Sequence, residues 1–117
     1  MKSIQIDPAS LRGGIRIPPS KSISHRAIIC AGLAEGFSTI DNMIMSEDIE
    51  ATIEGITALG ADVRSGMPFQ KEQENKPYTL EIQGTGFPRR LRQAIDCRES
   101  GSTLRFLIPL GSLTGEP

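Results

Sequence analysis

The segment from Pro18 to Arg26 restricts the conformation of this chain more than any other stretch of its sequence. Two consecutive prolines hold the backbone away from helix, and a helical pattern begins directly after them at Ser20. A helix start exposes unpaired backbone N–H groups and the positive end of the helix dipole. Lys21 and Arg26 add positive side chains that oppose this dipole unless an anion binds there. The segment therefore predicts half of a site for a phosphate or a carboxylate.

A second predicted helix start has the same character. The segment from Glu99 to Arg105 combines small hydroxyl residues with an arginine, and Gly101 lets a ligand approach the backbone because glycine has no Cβ. Backbone amides, hydroxyls and a guanidinium together favour an oxyanion. Ordinary capping by serine is the alternative at both helix starts. For Asp48, the alternative is a helix-start acid with no further role, unless it faces Arg105.

Apolar periodicity and turn residues predict an alternation of short strands and helices. The predicted strands cover residues 1–6, 37–40, 61–65 and 78–82, with an extended piece at 13–17 and a short strand or turn at 91–95. The predicted helices cover residues 20–34, 46–59 and 102–113, and residues 66–77 read as an exposed loop. This order predicts an α/β (α+β) fold in which small mixed sheets pack on helices.

The same periodicity predicts which residues are buried. The predicted buried faces are Ile23, Ala27, Cys30, Ala31 and Ala34 in the first helix, Ile49, Ile53, Ile56 and Leu59 in the second, and Thr103, Phe106, Leu107 and Leu110 in the third. Gly36 and Gly60 are predicted to end the first two helices, and Gly84 and Gly86 to break the last strand. His25, the only histidine, is expected at a partly exposed surface position.

Composition narrows the class of protein further. The chain has 117 residues, the size of one small domain, and a net charge of −1, which gives no global signal for nucleic acid or a membrane surface. No apolar run reaches the length of a membrane span. Cys30 lies in an apolar run and is predicted in the core, while Cys97 stands between charged residues. Neither cysteine has metal-ligand spacing, so we expect reduced thiols, a cytoplasmic location, no metal and no cofactor.

Four motifs of the chain, in this order, resemble the 5-enolpyruvylshikimate-3-phosphate synthase family. They are Pro19 to Ala27, Ser46 to Ile49, Ala58 to Ala61 and Ser100 to Arg105. The resemblance covers nearly the whole chain, and the first motif is highly specific. It implies the enolpyruvyl transferase fold, with βαβαββ-type units. It also implies transfer of the enolpyruvyl group of phosphoenolpyruvate to the 5-hydroxyl of shikimate 3-phosphate, a step of chorismate and aromatic amino acid biosynthesis.

The resemblance also implies roles for individual residues. Lys21 matches the family lysine that contacts both substrates where they meet, and it is the implied catalytic residue. Ser22 and Arg26 match residues that hold shikimate 3-phosphate, and Gly101 matches the glycine beside the phosphoenolpyruvate pocket. In supporting positions, Ser102 matches a neighbouring hydroxyl, Arg105 the arginine that closes the motif, and Asp48 an acid near it. The inhibitor glyphosate occupies the phosphoenolpyruvate pocket in the family, so the parent enzyme is expected to be sensitive.

Two departures from the family pattern stand out. Glu99 replaces the asparagine of many members, and it is left out of the site because a carboxylate repels anionic substrates unless it turns away or pairs with Arg98 or Lys21. The second departure is length, because family members are several times longer and close two lobes on their substrates. We therefore expect residues 1–12 to belong to the other lobe, 13–86 to form the first unit and 87–117 to begin a second. The chain alone is expected to be inactive.

Two alternatives have different substrates or no chemistry at all. The related transferase that acts on UDP-N-acetylglucosamine shares the fold, but its lysine is typically followed by asparagine, whereas Ser22 follows Lys21 here and Arg26 favours the shikimate substrate. The other alternative is a non-catalytic anion-binding module. The expected partners are the two small substrates, with no nucleic acid and no membrane, and the full-length parent is expected to be a monomer.

Overall fold

The computed structural model describes residues 2–64, 77–89 and 94–115 of the chain. Three helices and three strands are present within these ranges. The helices are α1 (Lys21–Leu33), α2 (Glu47–Ala58) and α3 (Gly101–Ser112), and the strands are β1 (Glu35–Met43), β2 (Asp62–Arg64) and β3 (Tyr78–Thr85). Helices α1 and α2 pack against the sheet, and α3 packs against both of these helices. The α/β (α+β) class predicted from the sequence is confirmed.

Strand β3 lies in the centre of the sheet, between β1 and β2. Both neighbours pair with it antiparallel, with Ile40 opposite Leu80 and Val63 opposite Ile82. Leu80 and Ile82 are fully buried, because residues two apart on a strand point to the same face and this face meets the helices. The register of β1 shifts after Ile40, next to Asn42, which has a φ of 58°. The sheet thus provides one apolar face on which the helices are set.

The core lies between this face of the sheet and the three helices, and α2 contributes most to it. Its buried residues repeat at helical spacing, as predicted: Ile49, Ile53, Ile56 and Leu59. Ser46 caps its start, and Gly60, with a φ of 116°, follows its end. This left-handed conformation is one that glycine adopts without the steric cost of a Cβ. The predicted bounds and buried face of α2 are therefore confirmed.

The buried face predicted for α1 is wrong in part, although the bounds of the helix are confirmed. Ile23 is 66% exposed and Cys30 is exposed, whereas Ser24, His25, Ile28, Ala31 and Gly32 are buried. The polar residues on this face have partners: Ser24 donates to the backbone carbonyl of Ser20, the cap of the same helix, and His25 meets Thr52 of α2. Gly32 in turn leaves room for Ile56. A Cβ at residue 32 would lie 2.9 Å from Cδ1 of Ile56. The buried face of α1 thus consists largely of small and polar residues, because the helices pack closely there. Apolar periodicity does not predict this face.

Gly84 does not break β3 as predicted, because the strand continues through it to Thr85. A Cβ at residue 84 would collide with the carbonyl oxygen of Ala34 and lie 2.6 Å from that of Ala31. The glycine therefore lets the end of α1 lie directly on the strand. Gly36 does not end α1 as predicted, because the helix has already ended at Leu33. It lies inside β1 instead, with a φ of 109°.

The strand predicted for residues 1–6 is not formed over the described residues 2–6, which are exposed and have no sheet pairing. Ile4 and Ile6 are 88% and 86% exposed, and a strand is stable only when it pairs and packs. The exposed loop predicted for 66–77 lies, apart from Pro77, outside the described residues, as do residues 91–93 of the last predicted strand. In α3, Thr103 and Leu107 are buried as predicted, and Phe106 and Leu110 are half-buried.

Candidate anion-binding site

Three serines cap the three helices in the same way. Each serine hydroxyl accepts a hydrogen bond of 3.1 to 3.3 Å from the backbone N–H three residues later: Ser20 from Ile23, Ser46 from Ile49, and Ser100 from Thr103. One of the four unpaired N–H groups of each helix start is satisfied by this bond. The capping alternative considered for both hydroxyl-rich segments is thus realised at Ser20 and Ser100. Capping gives no role to the neighbouring hydroxyls of Ser22 and Ser102.

Asp48, in the first turn of α2, contacts the first turns of both other helices. Its carboxylate lies 3.2 Å from Nζ of Lys21 in α1. Its backbone carbonyl accepts a hydrogen bond of 3.3 Å from Oγ1 of Thr103 in α3. The three helix starts therefore meet on one side of the molecule, where the positive ends of three helix dipoles lie close together. The first turns of α1 and α3 contain no acidic residue, so Asp48 brings a negative charge to a positive surface.

Arg26 connects α1 with α3. Its guanidinium donates a hydrogen bond of 2.9 Å to Oγ of Ser22, one turn earlier in the helix. The same guanidinium lies 5.6 Å from the centre of the Phe106 ring in α3, within the range of a cation–π interaction. These contacts hold the Arg26 side chain along the surface with its guanidinium beside Ser22, whereas Lys21 in the same helix start faces Asp48.

The start of α3 faces open space. Gly101 and Ser102 are exposed, and a Cβ at residue 101 would meet no protein atom within 4 Å. Arg105 is also exposed, and in the part of the chain that the structure describes it forms no ion pair with Asp48, whose carboxylate faces Lys21 instead. The surface between α1 and α3 therefore offers backbone N–H groups, hydroxyls and cations together, a combination that suits a phosphate or a carboxylate.

A chain of hydrogen bonds between buried side chains runs beneath this surface. Nδ1 of His25 lies 2.7 Å from Oγ1 of Thr52, which lies 2.7 Å from Oγ1 of Thr103, which in turn donates to Oγ of Ser100 at 2.6 Å. The exposed position predicted for His25 is wrong, since only 2% of the residue is exposed. Burial lowers the pKa of His25, an effect that Asp48 opposes and Lys21 reinforces. The imidazole is thus held in its neutral form, as a hydrogen-bonding group rather than a charge.

Arg98 fixes the turn that precedes α3, and sequence reasoning missed this role. Its guanidinium lies 3.1 Å from carboxylate oxygens of both Glu50 and Glu54 in α2. Its backbone N–H donates a hydrogen bond of 2.8 Å to the carboxylate of Asp96. The two glutamates raise the pKa of Arg98, so its guanidinium stays protonated. Of the partners considered for Glu99, Arg98 is thus engaged by α2 and Lys21 by Asp48, and Glu99 itself is exposed.

Within the described ranges, no helix is long and apolar enough to cross a membrane. The same ranges contain no group of three or more histidine, cysteine, aspartate or glutamate side chains placed to hold a metal ion. Cys97 is half-buried, and burial together with the nearby Asp96 carboxylate raises the pKa of its thiol, which favours the unreactive protonated form.

The fold and the site define a class of protein: an α/β unit whose helix starts present cations, hydroxyls and backbone amides at one surface, a combination that suits anionic ligands. Comparison with known proteins gives the family. The family model of EPSP synthase (3-phosphoshikimate 1-carboxyvinyltransferase) matches residues 6–116, so the chain belongs to this family. This result favours the shikimate enzyme over the UDP-N-acetylglucosamine transferase that was considered as the alternative.

Individual relatives agree with the family assignment. The chain is 49% identical over 110 residues to a 3-phosphoshikimate 1-carboxyvinyltransferase of Clostridium novyi (strain NT), covering 94% of this chain and 25% of the relative. It is 44% identical over 116 residues to that of Clostridium kluyveri, covering 99% of this chain and 25% of the relative. It thus spans about a quarter of the length of these curated relatives.

A solved structure shares the fold. The EPSP synthase from Acinetobacter baumannii superposes with a TM-score of 0.64 and 26% sequence identity, covering 81% of this chain and 20% of that one. The enolpyruvyl transferase fold expected from the sequence motifs is therefore confirmed for the part of the chain that superposes.

Proposed function

We propose that this chain forms part of an enzyme that transfers the enolpyruvyl group of phosphoenolpyruvate to the 5-hydroxyl of shikimate 3-phosphate, in aromatic amino acid biosynthesis. One observation carries the proposal: two cationic, hydroxyl-rich helix starts meet on one surface in a chain of the EPSP synthase family. Curated relatives that share up to 49% of the aligned residues are named for this activity. The whole reaction needs the parts of the enzyme that correspond to the remaining length of those relatives.

Shikimate 3-phosphate binds at the start of α1 in this proposal. Ser22 and Arg26 hold its phosphate, which is supported by the 2.9 Å hydrogen bond that already places the guanidinium beside the hydroxyl. Phe106 keeps Arg26 at the surface, and the ring competes little for the guanidinium because a cation–π contact leaves its N–H groups free to donate. A phosphate there accepts from a guanidinium and a hydroxyl at once.

Phosphoenolpyruvate binds beside Gly101 in this proposal. The open space in front of this glycine supports the assignment, since a ligand oxygen can approach the backbone N–H groups of the helix start there. Ser102 and Arg105 support the same pocket as exposed donors on the first turns of α3. Glu99 takes no part in it.

Lys21 stands where the two substrates meet and is the proposed catalytic residue. Both substrates carry a phosphate and a carboxylate, so cations must hold them in contact against their mutual repulsion. The side chains of Lys21 and Asp48 are 64% and 38% exposed, and an ion pair this exposed contributes little free energy. An arriving substrate anion therefore replaces Asp48 at little cost. Before a substrate binds, Asp48 is the partner that keeps the ammonium group of Lys21 oriented.

The reaction proceeds by addition and elimination. The methylene carbon of phosphoenolpyruvate gains a proton, and the 5-hydroxyl of shikimate 3-phosphate attacks the resulting cationic centre and releases its own proton. The tetrahedral intermediate then loses phosphate together with a proton from the new methyl group, which restores the carbon–carbon double bond. Lys21 balances charge or moves a proton in this sequence, and both roles require the ammonium group at the point of contact. No cofactor enters the proposal, because protonation, attack and departure of phosphate balance without one.

The proposed organisation follows the same logic. Residues 13–86 form the first unit, 87–117 begin a second, and residues 1–12 pack with the other lobe of the enzyme. We place the enzyme in the cytoplasm as a monomer. The isolated chain releases no phosphate from the two substrates, because it supplies one wall of a site that closes between two lobes.

A hybrid enzyme tests this function. In it, these 117 residues replace the matching segment of the Clostridium novyi relative, which is 49% identical to them. We expect the hybrid to release phosphate from the two substrates, and Lys21→Met to lower kcat by about 100-fold or more. Arg64→Gln is the control, because Arg64 is an exposed arginine on β2 that pairs with Asp62. Equal rates for Lys21→Met and the unchanged hybrid would refute the assignment, as would an inactive but folded hybrid.

A further inference from the structure

Four polar side chains lie buried between the helices and connect the two anion-binding helix starts. Thr52 and Thr103 are fully buried, and His25 and Ser100 are 2% and 4% exposed. Burying polar atoms costs free energy that aliphatic side chains of similar size would avoid, unless every hydrogen bond is formed. All the links of this chain are 2.6 to 2.7 Å long. Such fully satisfied networks fix geometry, which is a reason to retain them in a core.

The contacts of Thr103 favour one direction for the hydrogen bonds of this chain, because the backbone carbonyl of Asp48 can only accept. Oγ1 of Thr103 donates its single hydrogen towards Ser100, at 2.6 Å, or the backbone carbonyl of Asp48, at 3.3 Å. In this arrangement it has none left for Thr52, so the hydroxyl of Thr52 donates to Thr103. Thr52 in turn needs a donor, and only an N–H at Nδ1 of His25 can supply it. The sequence of donors thus begins at the imidazole and ends at the serine that caps α3.

We propose that His25 is a positioning residue for the start of α3. Its Nδ1–H orients Thr52, which orients Thr103, which holds the hydroxyl of Ser100 in the position that caps the helix and sets the backbone at Gly101. The helix that carries Lys21, Ser22 and Arg26 thereby aligns the opposite side of the anion site. This role deepens the proposed function and rests on it for the identity of the ligands. The contacts themselves involve no ligand.

The first test concerns the tautomer of His25 in the unchanged 117-residue chain. Long-range proton–nitrogen NMR spectra distinguish a neutral imidazole protonated at Nδ1 from one protonated at Nε2. We expect the Nδ1–H form, although free histidine favours the Nε2–H form. An Nε2–H imidazole would overturn the proposal, because Nδ1 would then accept from Thr52 and the direction of the chain would be reversed.

The second test compares two substitutions by amide hydrogen exchange. His25→Leu removes the donor, whereas His25→Asn retains an amide N–H close to the position of Nδ1. We expect His25→Leu to reduce the protection of the Thr103 amide about fivefold, the scale of a lost helix cap, and His25→Asn to restore it. The Ile49 amide is the internal control, because Ser46 caps it with the same geometry and no bond links that serine to His25 in the part of the chain described.

Each outcome of the exchange experiment decides the matter. A selective loss at Thr103 that His25→Asn restores supports the positioning role. Equal losses at Thr103 and Ile49 would show a general effect on stability and overturn it, and so would no loss at either amide. If His25→Leu does not fold, the tautomer of the unchanged chain still decides. Neither measurement uses a substrate, so failure of the positioning role is distinguished from failure of the proposed function, which the phosphate-release assay on the hybrid enzyme tests.

Discussion

At the scale of single residues, the anion site is held by side chains that do not belong to it. Arg98 is the clearest case, since it pairs with two glutamates of α2 and has a φ of 50° two residues before Ser100, the cap of α3. A residue with a Cβ reaches this left-handed conformation at a cost of about 1 kcal/mol or more. The two ion pairs offset this cost. Arginine at residue 98 therefore fixes the turn even though its backbone conformation is strained.

Substitutions of Arg98 separate these two effects. Arg98→Ala loses both ion pairs and keeps the strained backbone, so we expect it to lower the free energy of unfolding by about 1–2 kcal/mol. Arg98→Gly loses the ion pairs but relieves the strain, so it should be more stable than Arg98→Ala by about 1 kcal/mol. Urea unfolding of the chain measures both. Arg64→Ala is the control, because its exposed pair with Asp62, at 3.6 Å, contributes less than about 0.5 kcal/mol. A glycine variant less stable than the alanine variant would contradict this account.

Gly101 tests where the ligand lies. A methyl group at residue 101 or at residue 111 of the same helix would meet no protein atom within 4 Å, so neither substitution disturbs the fold by a clash. In the hybrid enzyme, we expect Gly101→Ala to raise the KM for phosphoenolpyruvate and the inhibitory concentration of glyphosate about tenfold or more, by crowding the ligand. Gly111→Ala should leave both values unchanged. If the two variants behave alike, phosphoenolpyruvate does not lie against Gly101.

At the scale of elements, the sequence predicts α2 better than α1 for a physical reason. Helix α2 meets the core with isoleucine and leucine, so its apolar period, its serine cap and Gly60 mark the face and both ends. Helix α1 meets it with His25, Gly32 and other small or polar residues, and no apolar period reveals this face. Its start remains predictable, because Ser20 and the residues after it determine it locally.

The residues of the candidate site also differ in how well the sequence predicts them. The residues that offer charge and hydroxyls, such as Lys21 and Arg26, stand out in the sequence because they oppose a local helix dipole. The contacts that position them join residues 27 and 51 apart in the chain, as in His25 with Thr52 and Thr52 with Thr103. Such contacts exist only once the helices have packed, so a local pattern does not show them.

Gly84 tests how α1 is set on the sheet. Because backbone oxygens of α1 occupy the space where a Cβ would lie, Gly84→Ala must push the helix away from β3. We expect the free energy of unfolding to fall by about 2 kcal/mol or more, since a main-chain oxygen does not rotate away as a flexible side chain does. Gly14→Ala is the control, because a Cβ there would meet nothing within 4 Å. Urea unfolding measures both variants, and similar stabilities would contradict the close approach of helix and strand.

At the scale of the whole molecule, most of the exposed large apolar side chains among the described residues lie in two places. Ile4, Ile6, Leu11, Ile15 and Ile17 are between 74% and 95% exposed in the first seventeen residues, and Leu104, Ile108 and Leu113 lie exposed at or just after α3. A few exposed apolar residues are normal, but a segment that alternates apolar and polar residues has the sequence pattern of a strand that packs on another surface. The proposed organisation supplies that surface from the rest of the enzyme.

Deletion of residues 1–12 tests this arrangement, because the isolated chain and the hybrid enzyme should respond differently. The described residues 2–12 are all exposed, so their removal should change the free energy of unfolding of the isolated chain by less than about 0.5 kcal/mol. In the proposed organisation, residues 1–12 pack with the other lobe of the hybrid enzyme, so we expect the same deletion to abolish phosphate release there and to lower the unfolding temperature. Thermal unfolding of both proteins measures the contrast. Equal destabilisation of the two proteins would mean that residues 1–12 pack on the rest of this chain. An unchanged hybrid would mean that they pack on neither lobe.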